Sequence, residues 1–202
     1  MKQKKLEMLL QKVPGFKDPS PTLEQYITPA NIAADIIFTA YSFGDIANKK
    51  VIDLGCGTGI FSVGASLAGA KKVIAVDADK NAVSIAKNYA QKNKLDIEFL
   101  VQNVDDVKNK CDTIIMNPPF GAQKSNEKAD RKFIEKGFKT SSIIYSLHLS
   151  KTIPFINKMV KALNGEINYS KDYLFPIKHT YEFHEKKVVN YNVALLRIIT
   201  KI

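Results

Sequence analysis

The sequence predicts an α/β fold: a doubly wound, mostly parallel sheet of seven strands, closed at one end by an antiparallel hairpin. Three observations carry this expectation. From residue 50 onward, short apolar runs alternate with stretches of helical length and periodicity. A glycine turn, Gly55-Cys56-Gly57-Thr58-Gly59, lies between the first apolar run and the helical stretch after it. The last third holds two long strand-like segments, 166–177 and 188–200, on either side of a polar stretch.

Each element follows from its own residues. In residues 2–13, Leu6, Leu9, Leu10 and Val13 recur at helical spacing with lysines opposite, and Pro14-Gly15 ends the pattern. Residues 14–29 are rich in Pro, Asp and Ser and read as an irregular entry loop. Thr28 followed by Pro29 reads as the cap and first position of a helix over about 30–43, whose apolar stripe runs through Ile32, Ala33, Ile36, Ile37 and Tyr41.

Residues 50–54 form a first buried strand, and a helix follows the glycine turn to about 69. Val73–Val76 is a second strand ending at Asp77, and Asp79 caps a helix over about 80–93. Glu98–Val101 and Thr113–Met116 are the third and fourth strands, and Ser142–Leu147 is the fifth. A helix over 150–163 carries Ile153, Ile156, Met159, Val160 and Leu163 and stops at Gly165. His148 reads as a structural histidine.

Composition narrows the setting. The 202 residues carry 30 Lys+Arg against 20 Asp+Glu, a net charge of +10, which favours a polyanionic partner. Cys56 and Cys111 are too few and too scattered for a metal centre or a disulfide framework. The amino end shows no signal-peptide pattern and no stretch has the length of a membrane span, so a cytoplasmic protein is expected.

Asn117-Pro118-Pro119-Phe120 ends the fourth strand abruptly. Two successive prolines offer no backbone N–H and fix φ, so the chain makes a stiff elbow. The elbow presents an amide (Asn117), a free carbonyl (Pro118) and a ring (Phe120). Two acceptors beside a ring suit a planar group bearing an amine, such as the N6 edge of adenine. The plain alternative is a Pro-Pro turn that only stops a strand. Topology favours the first reading, because a doubly wound sheet brings its first and fourth strands together at the switch point, where ligands bind. The glycine turn and the elbow should therefore share one crevice.

The glycine pattern is not the dinucleotide fingerprint, whose third glycine would fall at position 60, where this chain has Ile. With Asp53, Gly55, Gly57 and Gly59 it resembles the first motif of the class I, Rossmann-like S-adenosylmethionine-dependent methyltransferases. That resemblance implies that Asp77 accepts hydrogen bonds from both ribose hydroxyls and that Asn103 reads the adenine edge of the cofactor, where many members carry Asp. Asp53 either orients the glycine turn or helps hold the methionine amino group. The elbow resembles the signature of methyltransferases that act on planar amino nitrogens, with catalysis by Asn117, Pro118, Pro119 and Phe120. Phe at position 120 favours adenine in nucleic acid.

Nearly the whole chain resembles the small-subunit ribosomal RNA adenine N6-methyltransferases of archaea and eukaryotes, the methyltransferase-like 5 group. The matching pieces are residues 13–16 (VPGF), 23–29 (LEQYITP), 53–59, 114–121 (IIMNPPFG), 144–148 (IYSLH) and the Phe183, His184, Lys186, Lys187 segment. The resemblance adds Gln25, Thr28, Thr58, Ile60 and Val104 to the cofactor site. It implies a single domain in which 1–45 caps the cofactor and 46–202 form the core. It also implies a small zinc-binding activator protein as partner, which can add a strand to the exposed edge at 97–101.

Two further stretches suit RNA: the basic loop 121–139 with Lys124, Lys128, Arg131 and Lys132, and residues 179–187 with Phe183, His184, Lys186 and Lys187. Against the loop reading stands a solvated surface helix, and against the second a hairpin loop that covers the sheet end. Competing functions are a glutamine N5-methyltransferase, a DNA adenine N6-methyltransferase and a non-catalytic RNA-binding module.

Overall fold

A computed structural model of the chain describes residues 2–17, 19–20, 24–120, 129–178 and 188–201. Its centre is one seven-stranded sheet in the order β3-β2-β1-β4-β5-β7-β6. The strands are β1 (Lys50–Leu54), β2 (Lys72–Asp77), β3 (Glu98–Val101), β4 (Cys111–Met116), β5 (Ser141–Leu149), β6 (Glu166–Lys178) and β7 (Val188–Ile199). β1 pairs in parallel with both β2 and β4, and β5 continues the parallel set. β7 runs antiparallel between β5 and β6, and the two long segments form the expected antiparallel pair at that end of the sheet.

The helices are α1 (Gln3–Leu10), α2 (Ala30–Ser42), α3 (Ile60–Leu67), α4 (Lys80–Lys92), α5 (Ala129–Thr140) and α6 (Ile153–Ala162). Apolar residues at i, i+4 bury each on its inward face: Leu6 and Leu10 on α1, Ile32, Ile36 and Ala40 on α2, Ile156 and Val160 on α6. α1, α2 and α3 pack on one face of the sheet with Val51, Ile115 and Leu195. α5 and α6 cover the other, with Ile52, Ile114 and Ile144 between them. Asp79 caps α4 as expected, its carboxylate accepting from the Asn81 amide at 2.8 Å.

Two local expectations are corrected. Pro29, not Thr28, occupies the cap position of α2, and Thr28 makes no capping bond. Its hydroxyl faces Asn117 instead. The basic stretch 121–139 is not a loop throughout: from Ala129 it is helix α5, with Ile134 fully buried and Gly137 closing onto Ile144. The helical period of Phe133, Ile134 and Phe138 outweighs the charge run. Residues 121–128 and 179–187, with Lys124, Lys128, Phe183, His184, Lys186 and Lys187, lie outside the described residues.

A buried charged cluster ties the α2–β1 connection to the far side of the sheet. Arg197 on β7 donates to both carboxylate oxygens of Asp45, at 2.8 and 3.1 Å, and to the Asn168 side chain at 3.0 Å. The Tyr145 hydroxyl donates to Asp45 at 2.6 Å, and Phe43 lies under the guanidinium. His148 is buried against Ser146, 2.7 Å away, and burial lowers its pKa to about 3, so it stays neutral. No described helix is long and apolar enough to cross a membrane.

Removing one partner of a buried pair leaves the other charge uncompensated. Arg197→Leu is therefore expected to destabilise the protein by about 3 kcal/mol in urea denaturation. A loss below about 1 kcal/mol would mean that the cluster contributes no more than an exposed pair.

Candidate active site

The carboxyl ends of β1 and β4 lie side by side because Asp53 pairs with Ile115 in register. Beyond them opens a cavity of about 380 Å³. Its floor is the glycine turn after β1 and the elbow after β4. The entry segment, α5 and the ends of β2 and β3 complete its lining.

At Gly57 the turn leaves room for an aromatic ring from the entry segment. Gly57 sits at φ +51°, and a Cβ there would lie 2.9 Å from the Phe16 ring. Gly59 has a different task. It stands at the cap position of α3 with φ +88°, where a Cβ would come within 3.0 Å of Ala86, so its lack of a side chain lets α3 pack against α4.

Asp77 holds the turn. One carboxylate oxygen accepts from the Gly57 amide at 2.7 Å and the other from the Asp79 amide at 2.9 Å. Burial raises its pKa, and these same amides oppose the rise. Each oxygen accepts one bond, which leaves acceptor capacity on both toward the cavity.

Asp53 is not among the residues lining the cavity. It lies behind the turn, where one oxygen accepts from the Ser62 amide and hydroxyl at 2.8 and 2.5 Å. Of its two expected roles, this geometry favours orienting the turn and the start of α3. Its other oxygen is buried without a hydrogen-bond partner among the described residues, and burial pushes the carboxyl up to about 7.

The entry segment folds over the site and is pinned there. Gln25 donates to Asp79 at 2.6 Å and accepts from the Ser20 amide at 2.7 Å. Burial works the other way, but the bonds from Gln25 and the start of α4 hold Asp79 below the ordinary carboxylate range. Tyr26 stacks on Phe120, with centroids 6.3 Å apart and planes 23° apart.

At the elbow, Asn117, Pro118 and Pro119 line the cavity. The Asn117 amide nitrogen donates to the Thr28 hydroxyl at 3.1 Å, and its carbonyl oxygen is buried with no partner among the described residues. Phe120 does not line the cavity; its ring packs edge-on against Phe175 at 5.8 Å and faces Tyr26.

The structure brings most predicted site residues together. Gln25, Thr28, Gly55, Gly57, Thr58, Ile60, Asp77, Asn103 and Val104 all line the cavity, whereas Asp53, Gly59 and Phe120 support it from behind. Lys132 reaches the rim, while Arg131 lies over Phe155, 4.2 Å from the ring centre. Sequence reasoning missed Phe16, Tyr26 and Phe133. Phe16 and Phe133 close over Gly57 and Gly55. Their placement is tertiary and leaves no local signal beyond an aromatic near a helix start or in a loop.

This sheet order, with its glycine turn set against an acid, is that of the class I methyltransferases. Residues 35–140 match the methyltransferase small domain, and the chain belongs to that family. It is 35% identical to the zebrafish rRNA N(6)-adenosine-methyltransferase METTL5 across 98% of both chains. It is 38% identical to Methanocaldococcus jannaschii MJ0284, over 98% of this chain and 94% of the other. A Pyrococcus horikoshii protein solved as a candidate RNA methyltransferase, PH1948, superposes with a TM-score of 0.92 at 37% identity, covering 100% and 99% of the two chains.

The protein is thus an S-adenosylmethionine-dependent methyltransferase, and its own cavity fits that cofactor. The glycine turn lines the cavity beside Asp77, whose carboxylate can still accept from a pair of hydroxyls.

Two measurements check these assignments. Asp77→Ala is expected to weaken S-adenosylmethionine binding roughly tenfold to a hundredfold in calorimetry; unchanged affinity would leave Asp77 as a turn-holding acid only. The Asp53 carboxyl is raised in the fold from 3.8 to about 7, so the folded state binds the extra proton. Its contribution to stability is full below about pH 4 and is lost as pH rises through about 7. Asp53→Asn should flatten that part of the pH profile of the urea midpoint, and an unaltered slope would show that another group titrates there.

Proposed function

We propose that the protein transfers a methyl group from S-adenosylmethionine to the N6 nitrogen of an adenosine in small-subunit ribosomal RNA. The observation that carries this reading is the Asn117 carbonyl oxygen, buried at the elbow without a partner among the described residues and set next to the cofactor cavity. A buried acceptor left unpaired is costly, and one at a cavity edge is available to a donor from water or from a ligand. A planar exocyclic amine supplies the two N–H donors that Asn117 Oδ1 and the Pro118 carbonyl can accept together.

The chemistry follows from those two acceptors. S-adenosylmethionine supplies an electrophilic methyl on a sulfonium. The N6 amine of adenine is a poor nucleophile because its lone pair is delocalised into the ring. Two accepted hydrogen bonds draw density back to nitrogen and favour its pyramidal form, and a fixed elbow holds that nitrogen for in-line attack. The methylated nitrogen is acidic and sheds its proton to water, so no dedicated base is needed. An adenine in a helix must leave the stack to reach the elbow.

The remaining site assignments are part of this proposal. Gln25, Thr28, Gly55, Gly57, Thr58, Ile60, Asp77, Asn103 and Val104 hold the cofactor, with Asp53 and Gly59 shaping the turn. Residues 1–45 act as the cap. Lys132 at the rim and Arg131 beside it meet phosphates, together with the basic residues of 121–128 and 183–187. Phe120 acts by buttressing Tyr26, the ring that lines the cavity.

A small zinc-binding activator is proposed as partner, docking by strand addition. β3 is the outer strand of the parallel end of the sheet, and Val101 is 54% exposed. An uncovered edge of this kind invites another strand. Unchanged activity and a monomeric chain in the presence of such an activator would remove this part of the reading.

The function is tested by nucleoside mass spectrometry after incubation with labelled S-adenosylmethionine and unmodified small ribosomal subunits, with and without the activator. Label is expected in N6-methyladenosine, and Asn117→Ala should abolish it while leaving cofactor affinity within about threefold. Label in a protein glutamine, with none in RNA, would replace the proposal with glutamine N5-methylation.

A further inference from the structure

We infer that exposed side chains of α5 and α6 beside the cavity form a docking strip for unpaired RNA, with Phe155 as the ring on which a base next to the target stacks. Resting on the proposed adenine N6 chemistry, the strip is where that site takes hold of the strand around its target. Its place follows from topology. β5 runs parallel to β4, with Ser146 opposite Met116, so the chain leaves both strands on the side of the elbow. α6 starts there, after the short turn Ser150–Thr152, and carries Phe155 near its beginning. α5 ends at Thr140, where β5 begins, so its own start lies on the same side. There Arg131 precedes Lys132, which reaches the cavity.

An exposed ring alone would carry nothing; the setting of this one does. α6 buries Ile156 and Val160, while Phe155 is 41% exposed. The Arg131 guanidinium lies 4.2 Å from the centre of the Phe155 ring, and even with that cation against it the residue stays open to solvent. Residues 150–165 hold Lys151, Lys158 and Lys161, all exposed, and no acid. Among the described residues, neither these lysines nor Arg131 has a carboxylate within ion-pair distance. The neighbouring acid, Asp130, accepts from the Arg131 backbone amide at 2.8 Å.

Cations of one sign around a flat ring, continuous with a cavity rim, suit a single strand of nucleic acid. The cations meet phosphates, and the ring stacks a base whatever its identity. The net charge of +10 favours the same occupant. The reaction supplies the need for it. An adenine that enters the elbow has left its stack, which uncovers a face of each neighbouring base. Phe155 replaces the lost stack for one of them, and the guanidinium plane of Arg131 extends the platform.

The experiment compares wild type with Phe155→Leu, which keeps an apolar side chain and removes the ring, and Phe155→Tyr, which keeps the ring. Phe155 is exposed, so neither change reaches the core. Binding of a short fluorescein-labelled oligoadenylate, single-stranded or paired with oligouridylate, is read by anisotropy over a range of salt. Phe155→Leu is expected to weaken single-strand binding roughly fivefold or more. The slope of log affinity against log salt should not change, because no phosphate contact is lost. Phe155→Tyr should bind the single strand within about twofold of wild type. The duplex, whose bases are already stacked, should be bound equally by all three.

Equal single-strand binding by wild type and Phe155→Leu would overturn the inference. So would a Phe155→Leu loss that is as large on the duplex, a Phe155→Tyr variant as weak as Phe155→Leu, or a wild type that binds no single-stranded RNA. A wild type that binds the single strand in this way but methylates no adenine in small ribosomal subunits would overturn the functional reading itself, a distinct result.

Discussion

Parallel pairing of β1 with both of its neighbours is the constraint on which the site depends. β1 is flanked by β2 on one side and β4 on the other, so the chain must reverse its direction of travel across the sheet between them. At such a reversal the connections leave on opposite faces and a crevice opens beyond the strand ends. The predicted site residues gather there: the glycine turn after β1, Asp77 at the end of β2, Asn103 after β3 and the elbow after β4. None of these residues is near another in sequence in the way they are near in space.

The site is assembled in two layers. The inner layer belongs to the sheet, with Asp53 accepting from the start of α3 and Asp77 accepting from the turn. The outer layer is the entry segment, which reaches the sheet through a few polar and aromatic contacts at Asp79, Phe120 and Asn117. That division suits an enzyme that must admit a cofactor and then a base.

Much of this was legible in the chain before its fold was seen. Strand order, switch point and the pairing of turn with elbow follow from short apolar runs, helical spacing and the rule for parallel sheets. The Asp79 cap followed from local chemistry, and His148 reads as structural in the chain and is buried in the fold. The cap reading of Thr28 failed because a threonine before Pro-Ala looks like a cap, and only the fold shows its hydroxyl within hydrogen-bond distance of Asn117, 89 residues away. The α5 helix was hidden by its own charge: Phe133, Ile134 and Phe138 carry the period, but lysines crowd the sequence between and around them. Phe16, Tyr26 and Phe133 were invisible as site residues because an aromatic over a glycine is a meeting of distant segments. The Asp45–Arg197–Tyr145 cluster left no trace either, since its members are spread over 152 residues.

Turn and elbow lie on one crevice, where a single reaction can use both. The most direct measurement is a crystal structure of the protein with S-adenosylmethionine bound. The account predicts the cofactor over Gly57 with its ribose against Asp77 and its sulfonium methyl directed toward Asn117 and Pro118. A cofactor bound elsewhere, or one in this cavity with its methyl turned away from the elbow, would contradict it.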